Sequence, residues 1–335
     1  DALFGRLLEH VDLDRDAVVV VGPAHSTRQI TLTVLGIQGP GFEPGLLRSA
    51  TTRRSGFVQL IDVAPTILDL QGIDAPTSME GRAVEVGKQG GSAADRRAMI
   101  VTADAAAQFR DLRVGEIQTA SVFFCAALAL WTFLVFRRPA PRRLRDWLGI
   151  AGRGVLAFLP ATFLLRLLPL HDWGVLPYWA ILVVVSGLLG ALYARVGRDR
   201  YLDGLLLALL VPIVVLVVDV LLGATLQFNS ALGYSPTVAG RFTGFSDPAY
   251  ALVAASTVLA APLLAHRIGG RKGVWWAIGL MALVVVVDGA PFWGSDVGGI
   301  LSMVPAFGVT AVLLLGWRVR WRTVGWCVVG LVVAL

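Results

Sequence analysis

The residues able to do chemistry are concentrated in two connections between apolar runs. The stretch 227–250, QFNSALGYSPTVAGRFTGFSDPAY, carries Asn229, Ser230, Tyr234, Arg241, Thr243, Ser246 and Asp247 among glycines and prolines. The stretch 288–299, DGAPFWGSDVGG, carries Asp288, Trp293, Ser295 and Asp296. Each abuts an expected helix start, at Asp247-Pro248 and at Asp296, so each can offer backbone N–H groups as well as side chains to an anion. Arg241 suits a phosphate because its planar guanidinium donates two hydrogen bonds at once. Among the ionisable residues within apolar runs, Arg166, Asp219 and Asp288 lie towards the outer ends of theirs. A charge costs roughly 2.5 to 3.5 kcal/mol at the centre of a membrane helix unless paired or wetted, so these three are expected to face a bundle interior. One reading makes a polar pocket in which Arg241 and Arg166 bind a phosphate, Asp219, Asp288 or Asp296 take a cation, a hydroxyl or a proton, and Asn229, Asp247 and Trp293 complete the substrate site. The other makes Arg166 and one aspartate a structural ion pair, or has the charged ends reach out to the headgroups.

Such residues need spans to position them. Ile117 to Phe136 is a run of twenty residues without a charge, which at 1.5 Å per residue reaches roughly 30 Å, the thickness of a bilayer's hydrocarbon core. Further apolar runs occupy 148–170, 174–196, 203–225, 248–266, 273–289, 298–316 and 323–335. The last is shorter than a span needs, so the sequence is expected to stop inside an eighth helix. Pro212 and Pro305 fall within two of these runs and are candidates to kink or break them. The chain is 56% hydrophobic and 16% charged, with a mean hydropathy of +0.71, which excludes a soluble globular domain. The expected fold is a polytopic α-helical bundle of about eight transmembrane helices over 117–335.

Charge orients it. Arg137, Arg138, Arg142, Arg143 and Arg145 follow the first run at once, and Arg195, Arg198 and Arg200, then Arg267, Arg271 and Lys272, then Arg318, Arg320 and Arg322 fill alternate connections, whereas the others hold Arg241 alone. Cytoplasmic loops collect Arg and Lys, so the arginine-rich side is expected inside and everything before Ile117 outside. Trp173, Tyr178, Trp179, Phe292 and Trp293 fall at outer boundaries and Trp275, Trp276, Trp317, Trp321 and Trp326 near inner ones, as interfacial anchors do. This placement accounts for the net charge of +6 without a polyanion, so no nucleic-acid partner is expected. Cys125 and Cys327 both lie in apolar runs away from other ligand residues, which argues against a disulfide framework or a zinc site built on them. Only Lys88 and Lys272 are lysine, a bias of GC-rich bacterial genomes, and the expected location is a bacterial cytoplasmic (inner) membrane.

Ahead of the spans, residues 1–84 read as a soluble α/β domain. Leu3, Phe4, Leu7, Leu8 and Val11 recur at helical spacing, and Ala17 to Val21 is a continuous apolar run that predicts a buried strand. A second strand is predicted over Ile30 to Ile37, then a turn through Gly39, Pro40, Gly41 and Pro44. A short strand leads to Asp62, a candidate N-cap, with Pro65 early in the following helix and Gly72 closing it. Residues 85–116 read as a linker, with a glycine-rich break at Gly87, Gly90, Gly91 and Ser92 and a charged, alanine-rich helix over Ala93 to Leu112 that lies against the domain or the headgroups.

The order of an apolar strand, the turn Gly39-Pro40-Gly41, the run VQLIDVAPTILDLQGI over 58–73 and Met79-Glu80-Gly81-Arg82 resembles the C-terminal part of the alkaline phosphatase superfamily, as seen in sulfatases, phosphoglycerol transferases and cofactor-independent phosphoglycerate mutases. The resemblance covers about residues 12–84. It implies an alkaline-phosphatase-like outer domain using a divalent metal, zinc, manganese or magnesium. The family's metal-binding Asp-His pair follows such a strand; here Gly22, Pro23, Ala24 and His25 stand there, so the aspartate is absent and His25 alone carries over as a metal ligand. The nucleophile and first metal-binding aspartate would lie upstream of Asp1, as would an export signal.

Three functions follow as expectations. The first is an envelope enzyme that transfers or hydrolyses a phosphoester on a membrane lipid or lipid-linked envelope precursor. The second is a transporter or flippase of such an anionic precursor, with a degenerate, non-catalytic outer domain. The third is a scaffold for an envelope assembly complex. All share one topology: with Cys125 and Cys327 replaced by Ser, Thr237→Cys is expected to react with a membrane-impermeant maleimide on intact cells and Arg198→Cys only after permeabilisation.

Overall fold

The computed structural model describes residues 2–25, 30–87, 90–137, 141–198, 200–238, 240–317, 325 and 329. The chain forms two compact units, one of residues 1–109 with 235–242, the other of 110–234 with 243–335.

The first unit begins with α1 (Ala2–Leu8), which buries no residue. β1 (Val18–Val21) pairs antiparallel with β2 (Leu35–Gln38), Val18 opposite Gln38 and Val21 opposite Leu35. The apolar run Ala17 to Val21 is therefore a strand but not a buried one: Val20 remains 43% exposed and Val21 37%. Among the described residues the sheet has two strands, and an antiparallel pair can keep one face in water. β3 (Leu47–Arg48) pairs antiparallel with β4 (Glu85–Val86), so the ordered pairing extends into the segment expected to be linker.

The short strand expected to lead directly into Asp62 is not formed over residues 57–59. A 3-10 turn, Leu60–Asp62, leads into α2 (Val63–Leu70), with Pro65 in its first turn, where a missing N–H is harmless. The helix stops at Gly72, whose φ of +69° lets Ile73 N–H return to the Leu68 carbonyl at 2.9 Å. Asp62 does not cap α2 with its side chain. It is fully buried and accepts hydrogen bonds from Thr51 Oγ1 at 2.7 Å, Gln59 N–H at 3.0 Å and Arg82 N–H at 3.0 Å. Thr66 Oγ1 accepts Val84 N–H at 2.9 Å. Asp62 and Thr66 thus fasten 82–84 onto the start of α2. Gly81 lies so close that a Cβ there would overlap the Ile61 carbonyl.

α3 (Ala93–Arg137) is one uninterrupted helix of 45 residues, roughly 67 Å at 1.5 Å per residue. The helix expected over Ala93 to Leu112 and the span from Ile117 are thus a single element, because no proline or capping residue separates them and Gly115 alone does not stop a helix. Its first part lies against the first unit, where Asp104 accepts Leu32 N–H at 2.8 Å.

The second unit continues through α4 (Arg142–Leu164), the short α5 (Leu170–Trp173), α6 (Val175–Val196), α7 (Tyr201–Leu221), α8 (Asp247–Ile268), α9 (Gly270–Gly289) and α10 (Val297–Leu314). Among the described residues seven helices are long and apolar enough to cross a membrane, so the chain is a helical multi-pass membrane protein. They fall on the expected runs; the eighth run, 323–335, lies outside the described residues except for Gly325 and Val329. α4 packs on α6 and α7, α7 on α8, and α8 on α9 and α10. Neither Pro212 in α7 nor Pro305 in α10 breaks its helix. At the α6–α7 turn the chain closes so tightly that a Cβ on Gly204 would overlap the Tyr193 carbonyl.

Asp62→Ala leaves three part-buried donors without their acceptor and is expected to destabilise the first unit by about 1 to 3 kcal/mol. Limited proteolysis of the full chain should show cleavage within residues 1–87 at a lower temperature than in wild type, with the bundle still protected.

Candidate functional site

The polar residues singled out in the bundle gather at the end opposite the arginine-rich connections, and a carboxylate organises them. Asp219, in the last turn of α7, is buried. Its Oδ1 accepts Leu226 N–H at 2.6 Å, and its Oδ2 accepts Gln227 N–H at 3.1 Å and Gln227 Nε2 at 3.2 Å. Gln227 is fully buried and passes the connection on: its Oε1 accepts Ser246 N–H at 2.9 Å. Ser246 Oγ donates to the Leu232 carbonyl at 2.8 Å and caps α8 by accepting Ala249 N–H. These bonds satisfy polar groups that an apolar surrounding would otherwise leave unpaired.

Two arginines hold the same loop from outside it. Arg166 donates through Nε to the Phe228 carbonyl at 3.1 Å. Arg110 donates to the carbonyls of Ser230 at 3.1 Å and Gly233 at 3.2 Å. The ion pair considered for Arg166 and an aspartate is not formed among the described residues, since Asp219 is taken up by backbone and amide donors. Asn229, with a φ of +63°, donates its N–H to the Tyr234 carbonyl at 3.0 Å. Tyr234 Oη donates to the carbonyls of Thr243, at 2.8 Å, and Gly244. Between them, residues 235–242 group with the first unit, where Arg54 donates twice to the Phe242 carbonyl, at 3.1 and 3.0 Å. Arg241 belongs to that segment and so groups with the first unit, whereas Asp219, Asp288 and Asp296 belong to the second.

One turn into α8 the hub meets a second cluster. Tyr250 N–H donates to the Ser246 carbonyl at 2.7 Å, and Tyr250 Oη donates to the Gly299 carbonyl at 3.0 Å and is hydrogen-bonded to Ser302 Oγ. Asp288, near the end of α9, is fully buried. Its carboxylate packs against the Cα of Gly299 so closely that a Cβ there would overlap Oδ2, and the Tyr250 ring borders the same glycine. Asp296 N–H donates to the Asp288 carbonyl at 3.0 Å, while Asp296 Oδ1 caps α10 through Gly299 N–H at 3.0 Å. The structure therefore brings Asp288 and Asp296 together. Trp293 lies beside them in the connection, its ring edge-on to Phe292 with centroids 4.8 Å apart.

The other expected site residues fall elsewhere. Asp247 is exposed at the first position of α8, where Ser246 rather than Asp247 is the cap. The backbone N–H groups offered to an anion at the two helix starts are partly engaged already, by Ser246 and Gln227 at α8 and by Asp296 at α10. His25 is exposed in the connection after β1, and among the described residues no three His, Cys, Asp or Glu side chains are grouped to hold a metal ion. Gln227, Arg110, Tyr250 and Ser302 were not expected from sequence; an amide or hydroxyl near a helix end carries no pattern that separates a hub from a surface residue.

No protein-family model, curated protein or solved structure matches the chain. The resemblance to the alkaline phosphatase superfamily rests on the quoted residues alone.

Gln227→Ala removes one donor and one acceptor from the hub and is expected to cost about 2 to 3 kcal/mol, exposing 222–234 to protease added to the side opposite the arginine-rich loops. Asp247→Ala, at an exposed position, is expected to stay within about 0.5 kcal/mol of wild type in the same assay.

Proposed function

We propose that this chain is a bacterial inner-membrane transporter or flippase of an anionic, lipid-linked envelope precursor. In this reading its N-terminal unit is an extracytoplasmic, alkaline-phosphatase-like domain that is not catalytic. The observation that carries the reading is Asp288: a carboxylate in a membrane helix, fully buried and set between the chain of α10 and the Tyr250 ring of α8. Ionisable residues so placed mark ion and proton paths by default. Asp219 is equally intramembrane, but its donors make it a loop anchor. Asp288 sits at the meeting of three helices, α8, α9 and α10, where binding and release of a proton or cation can bias how they pack.

The enzymatic reading, phosphoester transfer or hydrolysis by the outer domain, ranks second. It needs a group of metal ligands, and the described residues assemble none around His25. Asp62, the most buried acid of that unit, is engaged in holding the chain together.

The test is reconstitution in proteoliposomes with a fluorescent polyprenyl phosphate as probe and an imposed pH or sodium gradient. Wild type is expected to move the probe between leaflets in a gradient-dependent way. Asp288→Asn should reduce that rate at least about tenfold, the scale set by ~1.4 kcal/mol of lost ion binding, while insertion and yield stay as in wild type. Gradient-independent movement unaffected by Asp288→Asn, or hydrolysis of a phosphodiester by the full chain on addition of zinc, manganese or magnesium, would sink the reading.

A further inference from the structure

At the arginine-rich end of the bundle, away from Asp288, α3, α4, α6 and α7 enclose a cavity of about 470 Å³. Its polar lining includes Arg145 and Arg153 of α4 and Tyr193 of α6; its apolar walls include Leu128 and Phe136 of α3 and Leu156 of α4. Arg153 lies eleven residues past the first residue of α4, roughly 16 Å along the helix axis, inside a helix that meets the length and hydropathy of a span. A guanidinium at that depth requires a counter-charge or a wet surrounding.

The protein does not supply the counter-charge among its described residues. None of their ion pairs involves Arg145 or Arg153, and the acid at this end of α7, Asp203, is held by Arg267 at 2.9 Å. Tyr193 adds an independent observation. It is fully buried, and its hydroxyl has no hydrogen-bond partner among the described residues; a buried hydroxyl left so is destabilising by about 1 to 3 kcal/mol. Two cations without an acid and a donor without an acceptor thus line one cavity.

An occupant that answers both must carry negative charge, several acceptor oxygens and an apolar body. The apolar stretch of α3 is only 6% buried, and among the described residues one edge-on ring pair, Phe124 with Phe158, joins it to α4, so the α3 side of the cavity borders the lipid. We infer that this cavity binds the phosphate headgroup of an anionic phospholipid from the leaflet on the arginine-rich side. Arg145 and Arg153 bond its phosphate oxygens, the Tyr193 hydroxyl donates to a further headgroup oxygen, and the acyl chains run along the apolar faces of α3 and α4. Basic pockets between membrane helices on that side suit such headgroups. The site is independent of the transport reading: a phospholipid can be held here whether or not the bundle moves anything.

The experiment is native mass spectrometry of the purified full chain, delipidated in detergent and titrated with phosphatidylglycerol, with phosphatidylcholine and inorganic phosphate as comparison probes. Wild type is expected to retain phosphatidylglycerol in preference to phosphatidylcholine. Arg153→Gln and Arg145→Gln should each weaken that binding roughly fivefold, in line with the contribution of one basic residue near anionic lipid, and the double variant more. Arg153→Lys should keep most of it, and Tyr193→Phe should lose less than either glutamine variant. Equal binding of the two lipids by wild type, which needs no variant to fold, would overturn the site, as would unchanged binding in a correctly folded Arg145→Gln/Arg153→Gln protein. Displacement of phosphatidylglycerol by inorganic phosphate at equal concentration would make it a soluble-anion site and overturn the lipid assignment.

Discussion

Hydrocarbon offers no hydrogen-bond partner, so a chain that turns round at the end of a membrane helix must satisfy its own backbone. Here one carboxylate does most of this. Asp219 is still helical when its side chain reaches forward to the N–H groups of Leu226 and Gln227, and Gln227 relays the connection to Ser246. The start of α8 is located by that relay, and Tyr250, one turn on, by the start of α8. The surroundings of Asp288 are therefore set in part by a residue in a different helix.

The first unit uses the same device in a soluble setting. Asp62 accepts two backbone N–H groups and a threonine hydroxyl from three separate stretches of chain. A carboxylate suits this work because it accepts from several directions and donates to none, and charge-assisted bonds to N–H groups are about twice as strong as neutral ones. Two of the chain's most buried acids are thus structural. Asp288 differs in position: its carboxylate lies against the Cα of Gly299, beside the Tyr250 ring, where α8, α9 and α10 meet.

The bundle was largely legible in the sequence. Apolar run length and basic connections are direct consequences of bilayer thickness and topology, and α4, α6, α7, α8, α9 and α10 fall where those runs lie. α2 was legible as well, through Pro65 and Gly72. What failed was whatever depends on a partner distant in sequence. Ala17 to Val21 is apolar enough to be buried, but burial is decided by how many strands and faces surround it, and among the described residues β1 has one neighbour. Arg166 and Asp219 are opposite in charge and similar in depth, yet each found neutral backbone instead of the other. Arg241 looked like part of the aspartate site because the sequence between Gln227 and Tyr250 is continuous, whereas contacts assign 235–242 to the other unit. Asp62 stood at the right place to cap α2 and was drawn away by Thr51 and Arg82, which no local pattern announces.

Tyr234 has a consequence for how this protein can change over time. Its hydroxyl closes on the carbonyls of Thr243 and Gly244, pinning together the points where residues 235–242 leave the bundle's fold and rejoin it. A loop whose base is clamped transmits little of its own length to what lies beneath, and doubling such a loop costs only about 0.6 kcal/mol in closure entropy. Changes of length within residues 235–242 are consequently kept from the helices by that clamp and are limited instead by the contacts that group the segment with the first unit, such as those of Arg54 with the Phe242 carbonyl.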